Sequence, residues 1–277
     1  MKATNTFLFS VDLEDARENV PDGHKYQDRV VETTLLYLNW LKKNNSVCTF
    51  FSVGKIAEKY PELIKEIVMR GHEIACHTYS HTPIDVLGKD GFKSDLEKTL
   101  NALSKSGAGK IIGFRAPIFS LTEKTQWAYE VLSEFGFVYS SSVLPAKNPL
   151  YGWKDFGNQH KIMNGKIIEI PMTVGKFAHL TLPIAGGIYF RVLPKIFLFN
   201  EIKKCIKNNR PILSYFHPYD ADTGQEKFMH SGINGNKIYN HLMYYNRKNL
   251  FGKLDEVMKM DLTISTYSNY INTLIKA

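Results

Sequence analysis

Short apolar runs of four to six residues alternate with segments of helical periodicity along most of this chain, and that rhythm limits the folds open to it. Phe7–Val11 reads as a buried strand, and Val30, Val31, Thr34, Leu35, Leu38 and Leu41 then repeat at helical spacing up to the stop at Asn44-Asn45. Val47–Ser52 is a second strand. Pro61 opens a helix that Gly71 ends, and Glu73–Cys76 is a third strand. The alternation continues with helix 91–105, strand 110–114, helix 123–135, strand 137–139, strand 167–170, helix 194–207 and strand 212–216. Helix 254–258, strand 262–264 and helix 269–276 close the chain. Strands alternating with helices predict an α/β fold around a mostly parallel sheet. Residues 145–192 and 218–250 break the rhythm and read as long loops shaping a groove. No Pro-, Gly- or Ser-rich linker divides the chain, so residues 1–277 read as one domain.

Composition narrows the function classes. The formal net charge is +8, but no run of five or more basic residues occurs, so a nucleic-acid arm is not indicated. A basic surface of this kind also suits an anionic polymer or peripheral contact with a membrane. Cys48, Cys76 and Cys205 are an odd number at unrelated spacings, which argues against a disulfide framework and for a reducing compartment. With no signal-like apolar stretch near Met1 and no run long enough to span a bilayer, a cytoplasmic location is the expectation.

The chemistry-bearing residues stand where strands end. Asp12, Glu14 and Asp15 follow the first strand, and His77 and His81 follow the third. Arg115-Ala116-Pro117 follows the fourth, and His217-Pro218-Tyr219-Asp220 follows a later one. In parallel α/β folds catalytic groups gather at the C-terminal ends of strands. Two imidazoles four residues apart need one carboxylate to make a three-ligand metal site with open positions. Each residue also has a plainer reading: Asp15 as a helix cap, Arg115 in a buried ion pair, His217 as a core histidine. Their joint placement favours a shared site.

The stretches Phe9-Ser10-Val11-Asp12-Leu13-Glu14-Asp15, Thr49–Gly54, Gly71–His81, Gly113–Pro117, Gly186–Arg191 and Tyr215–Pro218 resemble, in order, the motifs of the polysaccharide deacetylase family (NodB homology, carbohydrate esterase family 4). The nearest likeness is the subgroup with an Asp-x-Glu-Asp first motif. The resemblance runs from about residue 7 to about residue 220. It implies a distorted (β/α)7-type barrel, a divalent metal and hydrolysis of N-acetyl groups on amino sugars. By this likeness His77 and His81 are metal ligands, Asp12 is the catalytic base, His217 protonates the leaving amine, and Arg115 positions the base. The third ligand is Glu14 or Asp15. Strand alternation favours Glu14, whereas a bulge would present Asp15. Pro117 and Tyr189 are assigned to the sugar groove. Zinc suits the ligand set, and cobalt or nickel would fit as well. The implied partner is a carbohydrate in a polysaccharide or glycan precursor. A deformylase- or allantoinase-like amide hydrolase and a non-catalytic glycan-binding module are the alternatives. One departure stands out: relatives read Tyr-Asp-Ser-Ser where this chain has Tyr139-Ser140-Ser141-Ser142, removing an acid near Arg115.

Overall fold

The computed structural model describes residues 5–148, 150–231, 233 and 235–276. The first strand is split. β1 (Thr6–Leu8) and β2 (Ser10–Leu13) are separated at Phe9, whose N–H folds back on the Phe7 carbonyl at 2.9 Å. Next come α1 (Val30–Lys43), β3 (Thr49–Ser52), α2 (Gly54–Lys59), α3 (Pro61–Met69) and β4 (Glu73–Cys76). α4 (Ile84–Lys105), β5 (Gly113–Phe114), α5 (Trp127–Glu134) and β6 (Tyr139–Ser140) follow. β7 (Lys161–Met163), β8 (Ile167–Glu169), β9 (Val174–Phe177) and β10 (Leu180–Pro183) form two hairpins. α6 (Gly187–Val192), α7 (Lys195–Lys207) and β11 (Ile212–Leu213) lead into α8 (Lys237–Tyr244) and α9 (Leu250–Met258). β12 (Thr263–Ile264) and α10 (Tyr267–Ile275) complete the order.

One sheet runs β2-β3-β4-β5-β6-β8 in parallel, with β7 antiparallel at its edge. A second has the order β11-β1-β12, also parallel. The two sheets join where residues 214–216 run beside residues 8–12: Phe216 N–H donates to Ser10 O at 3.0 Å and Asp12 N–H to Phe216 O at 2.7 Å. The split strand, β3, β4, β5, β6, β8 and β11 thus give the parallel positions of a distorted (β/α)7 barrel.

Alternation along the strands separates two cores. Phe9, Val11, Phe50 and Ile74 pack outward among the residues of α1, α3, α7 and α9. Leu8, Phe51, Ala75, Tyr139, Ile168, Leu213 and Tyr215 share a second cluster with Tyr267 and Ile271 of α10. The last helix therefore packs with the inward faces of the strands. Its Tyr267 N–H donates to Thr49 Oγ1 at 2.9 Å.

The structure corrects several expectations. The segment 186–191, read as groove lining or a glycine turn, is largely α6. Residues 145–192 hold two hairpins, and 218–250 holds α8. The Asn164-Gly165 turn between β7 and β8, with both φ values positive, is a hairpin signal the period reading passed over. Helix 91–105 begins earlier, at Ile84, across a break at Gly88. Gly186 bridges Tyr215, and a Cβ there would lie 2.2 Å from the Tyr215 carbonyl oxygen. Its φ of −168° suits any residue, so the demand for glycine is steric. Gly186→Ala is expected to cost about 2–3 kcal/mol by overpacking, read as a lowered midpoint in urea unfolding.

Candidate active site

Asp12, Glu14, His77, His81 and His217 come from separate strand ends and meet in one open cleft. Asp12 is the third residue of β2 and Glu14 follows the strand's end. Their spacing of two carries both side chains to the same cleft, as alternation anticipated. His77 follows β4 directly. The turn that follows returns His81 to the same wall through positive φ at Thr78 (63°) and His81 (57°). Asp95 of α4 holds that turn, accepting the Tyr79 N–H at 2.8 Å.

Glu14, His77 and His81 present ligand atoms all within 4.8 Å of one another. Glu14 Oε2 lies 2.6 Å from His81 Nε2, yet it is buried without a hydrogen bond of acceptable geometry. Two electron-rich atoms in that relation fit a shared cation. His77 Nδ1 donates to the Arg115 carbonyl at 2.8 Å, which fixes the tautomer and leaves Nε2 free as a ligand. Burial pushes the His77 pKa down to about 4, so the ring is neutral near pH 7, as a ligand must be. Burial opposes the charge of Glu14, but His81, His217 and His77 outweigh it and bring that carboxyl down to about 2. The residues present therefore fit a divalent metal.

Asp15, kept as an alternative third ligand, lies outside this cluster. It caps a 3-10 turn by accepting the Arg17 N–H at 3.0 Å, and its carboxylate pairs with the Arg17 guanidinium at 2.5 Å. Because β2 ends without a bulge, the next acid turns away from the cleft. Pro117 is likewise corrected. It is buried as the first residue of a 3-10 turn, and the residues after it, Ile118 and Phe119 at φ 46° and 56°, line the cleft instead. Tyr189 lines the cleft from α6.

Arg115 is fully buried. It donates to Asp12 Oδ1 at 2.5 Å, Ser10 Oγ at 2.8 Å, Ser141 O at 3.0 Å and Tyr267 OH at 2.8 Å, and its guanidinium lies 3.9 Å from the centre of the Phe51 ring. The acid missing at Ser140 has a counterpart on the neighbouring strand. Glu169, in register with Ser140, accepts the N–H groups of Ser142 and Val143 at 2.7 and 3.0 Å. Ser142 in turn accepts the Ala116 N–H at 2.8 Å, so Glu169 shapes the turn that holds Arg115. Nothing in residues 167–170 beyond strand propensity marked that role.

His217 lies where the β11 strand run ends. Its Nδ1 donates to Asp220 at 2.9 Å, and Asp220 is paired with the buried Arg191 at 2.9 Å. Nε2 faces Glu14 Oε1 at 3.8 Å, and the Tyr219 ring stacks on the imidazole at 4.6 Å and 7°. Burial lowers the His217 pKa, but Asp220, Glu14 and Asp12 override it and raise it to about 9. Tyr219 and Asp220 belong to a stretch the sequence singled out, whereas the service of Arg191 becomes visible only in three dimensions.

Residues 22–139 match the polysaccharide deacetylase family model, and residues 141–271 match a domain of unknown function, DUF3473. A peptidoglycan-N-acetylglucosamine deacetylase of Bacillus cereus is 35% identical over 102 residues, covering 36% of this chain and 37% of that protein. The chain thus spans well under half the length of the curated relatives it matches. A family 4 carbohydrate esterase from Streptomyces lividans superposes with a TM-score of 0.50 at 15% identity, covering 95% of this chain and 93% of that one. The Puue allantoinase superposes at 0.59 and 13% identity, covering 98% and 90%. These likenesses show the barrel.

Two outcomes follow from this geometry. Glu14→Ala is expected to weaken zinc binding at least 10-fold and Asp15→Ala to leave it unchanged, measured by competition with a chromogenic chelator. Burial pushes Asp95 up to about 6, against hydrogen bonds from Tyr79 and Thr99 and the charge of Lys98. A raised acid pKa means that the native protein holds this proton more tightly than the unfolded chain. Its ionised form therefore costs stability above about pH 6, and the cost vanishes below the ordinary value near 4. Asp95→Asn, which keeps an oxygen facing Tyr79, should raise Tm at about pH 8 and leave it unchanged near pH 3.5.

Proposed function

We propose that the chain is a metal-dependent hydrolase that removes the N-acetyl group from an amino sugar. One observation carries this reading: Asp12 and His217, each held by a buried arginine-carboxylate pair, open on the same cleft as Glu14, His77 and His81. A divalent cation, zinc by donor type with cobalt or nickel fitting the same set, would polarise the amide carbonyl and acidify the attacking water. Asp12, fixed by Arg115, takes the proton of that water as it adds to the carbonyl carbon. His217, protonated at neutral pH, delivers a proton from Nε2 to the sugar nitrogen. The C–N bond then breaks, and acetate and a free amine leave. Asp220 holds Nδ1–H, so the proton given up is the one facing the cleft. The aromatic rings of Tyr189, Tyr215 and Tyr219 suit the apolar faces of a sugar.

The reading treats residues 1–277 as one working unit, since Tyr267 supports Arg115 across the whole chain. A cytoplasmic site of action goes with it, supported by three buried free thiols, Cys48, Cys76 and Cys205. Among the described residues no helix is long and apolar enough to cross a membrane.

The test is acetate release from a panel of N-acetylated sugars, together with metal analysis. His77→Ala should lose both metal and acetate release. His217→Ala should keep the metal and lose at least ~100-fold in kcat. Equal acetate release by wild type and His77→Ala would sink the metal-hydrolase reading.

A further inference from the structure

Hairpin turns that face water are usually built from Gly, Asn, Asp and Ser. The β9–β10 hairpin departs from that pattern. It stands as a two-stranded sheet of its own, and its turn at Ala178-His179 is flanked by Phe177 and Leu180, which face each other in register. Directly opposed residues put their side chains on one face, and here the pair is apolar and exposed, Leu180 to 60%. The Phe177 ring meets Phe197 of α7 at 4.9 Å, which sets the tip beside the start of that helix. There Ile196 is 79% exposed, the highest value for a large apolar side chain among the described residues. Phe177, Leu180 and Ile196 belong to none of the core clusters, so folding does not account for their apolar character.

Around these apolar points the charge is one-sided. Residues 174–183 and 195–207 hold five lysines and one acid, Glu201. Lys204 takes Glu201, and Lys195 is paired with Glu256 of α9. Lys176, Lys203 and Lys207 are exposed, with no carboxylate partner among the described residues. On α7, Ile196, Asn200, Lys203 and Lys207 follow at spacings of four, three and four, one exposed stripe whose apolar end lies at the hairpin tip. Three projecting apolar side chains are too few for a stable protein interface, which buries roughly 800 Å² per partner, and lysine is depleted from such interfaces. A nucleic acid would engage the lysines and leave the apolar tip in water. A bilayer with anionic headgroups accepts both, since apolar side chains enter the acyl boundary while lysine stems reach back to the phosphates.

We propose that the β9–β10 tip and the exposed stripe of α7 form a docking surface for an anionic lipid bilayer, with Phe177, Leu180 and Ile196 entering the headgroup boundary and Lys176, Lys203 and Lys207 meeting lipid phosphates. The contact goes beyond the hydrolase reading and does not depend on it. β10 runs from Leu180 to Pro183, and Pro183 lines the cleft, so the docked tip stands about 10 Å along the strand from the site. Binding of this kind is peripheral and reversible, because three side chains insert far less apolar surface than a spanning helix.

The experiment sediments the full chain with vesicles of phosphatidylcholine alone and with vesicles carrying about 30% phosphatidylglycerol. Wild type should bind the anionic vesicles about 10-fold more tightly, and ~0.5 M NaCl should remove most of that difference. Leu180→Ser with Ile196→Ser, both at exposed positions outside the site, should weaken binding to anionic vesicles about 10-fold and leave Tm unchanged. Lys203→Gln with Lys207→Gln should weaken it by about 10-fold as well. Leu180→Trp should add an emission that shifts to the blue with anionic vesicles and is quenched by brominated acyl chains. Vesicle binding is read without turnover, so failure of the hydrolase reading leaves this test intact. Wild type that binds both vesicles alike, or neither, overturns the proposal. Loss of binding in the lysine variant with none in the apolar variant marks adsorption without insertion and also overturns it. A wild-type dimer that Leu180→Ser with Ile196→Ser converts to monomer, with no vesicle binding, assigns the surface to a second copy instead.

Discussion

The buried guanidinium of Arg115 is the interaction on which the rest of the structure depends. It reaches Ser10 and Asp12 on the first strand, Ser141 on the turn after β6 and Tyr267 on the last helix, while its own carbonyl receives the His77 imidazole. Burying a guanidinium costs several kcal/mol unless its N–H groups are paired. Here they are shared among three elements, so each must be in place for the charge to be tolerated. The same contacts that settle the charge aim Asp12 at the cleft and fix the tautomer of His77. Stability and chemistry are not separate layers at this point of the molecule.

The site uses the arginine–aspartate pair twice, to opposite ends. On one side Arg115 holds the carboxylate that would receive a proton in the proposed reaction. On the other, Arg191 keeps Asp220 charged, and Asp220 keeps His217 protonated, so the carboxylate stabilises the cation that would give a proton away in that reaction. An acid and a base can face the same substrate at one pH because each has its own buried counter-charge. Both pairs sit within the barrel's low-dielectric surroundings, where such couplings are screened little by salt.

What the sequence made legible is what local pattern encodes. The alternation of strands and helices pointed to an α/β fold with a mostly parallel sheet, and the family resemblance to the barrel. Asp12, His77, Arg115 and His217 stood out because each follows an apolar run directly, and His81 through its four-residue spacing from His77. The parity of the first strand favoured Glu14, and the structure gives it the cleft while Arg17 takes Asp15. The supporting residues were hidden for physical reasons. Glu169 looks like any strand acid until the register sets it opposite Ser140. Arg191 lies in a glycine-led stretch that read as a turn, and Tyr267 sits about 150 residues from the arginine it supports. Pairings of that separation leave no trace in periodicity. The helical content of 237–244 was obscured because its spaced Ile238, Tyr239, Leu242 and Met243 lie within a stretch whose Gly, Tyr, Asn and His content reads as loop.

The contact between Tyr267 and Arg115 has a consequence for how the protein comes into being. During synthesis the strands that carry Asp12, His77 and Arg115 leave the ribosome long before residue 267 does. Until then the guanidinium lacks a phenol it needs, and the inward face of the sheet lacks α10. Chains emerge at roughly 5–20 residues per second, so the nascent barrel spends many seconds with its arginine incompletely paired. The centre is assembled by the last helix to arrive, and a ribosome-bound chain short of that helix carries the site's residues without its geometry.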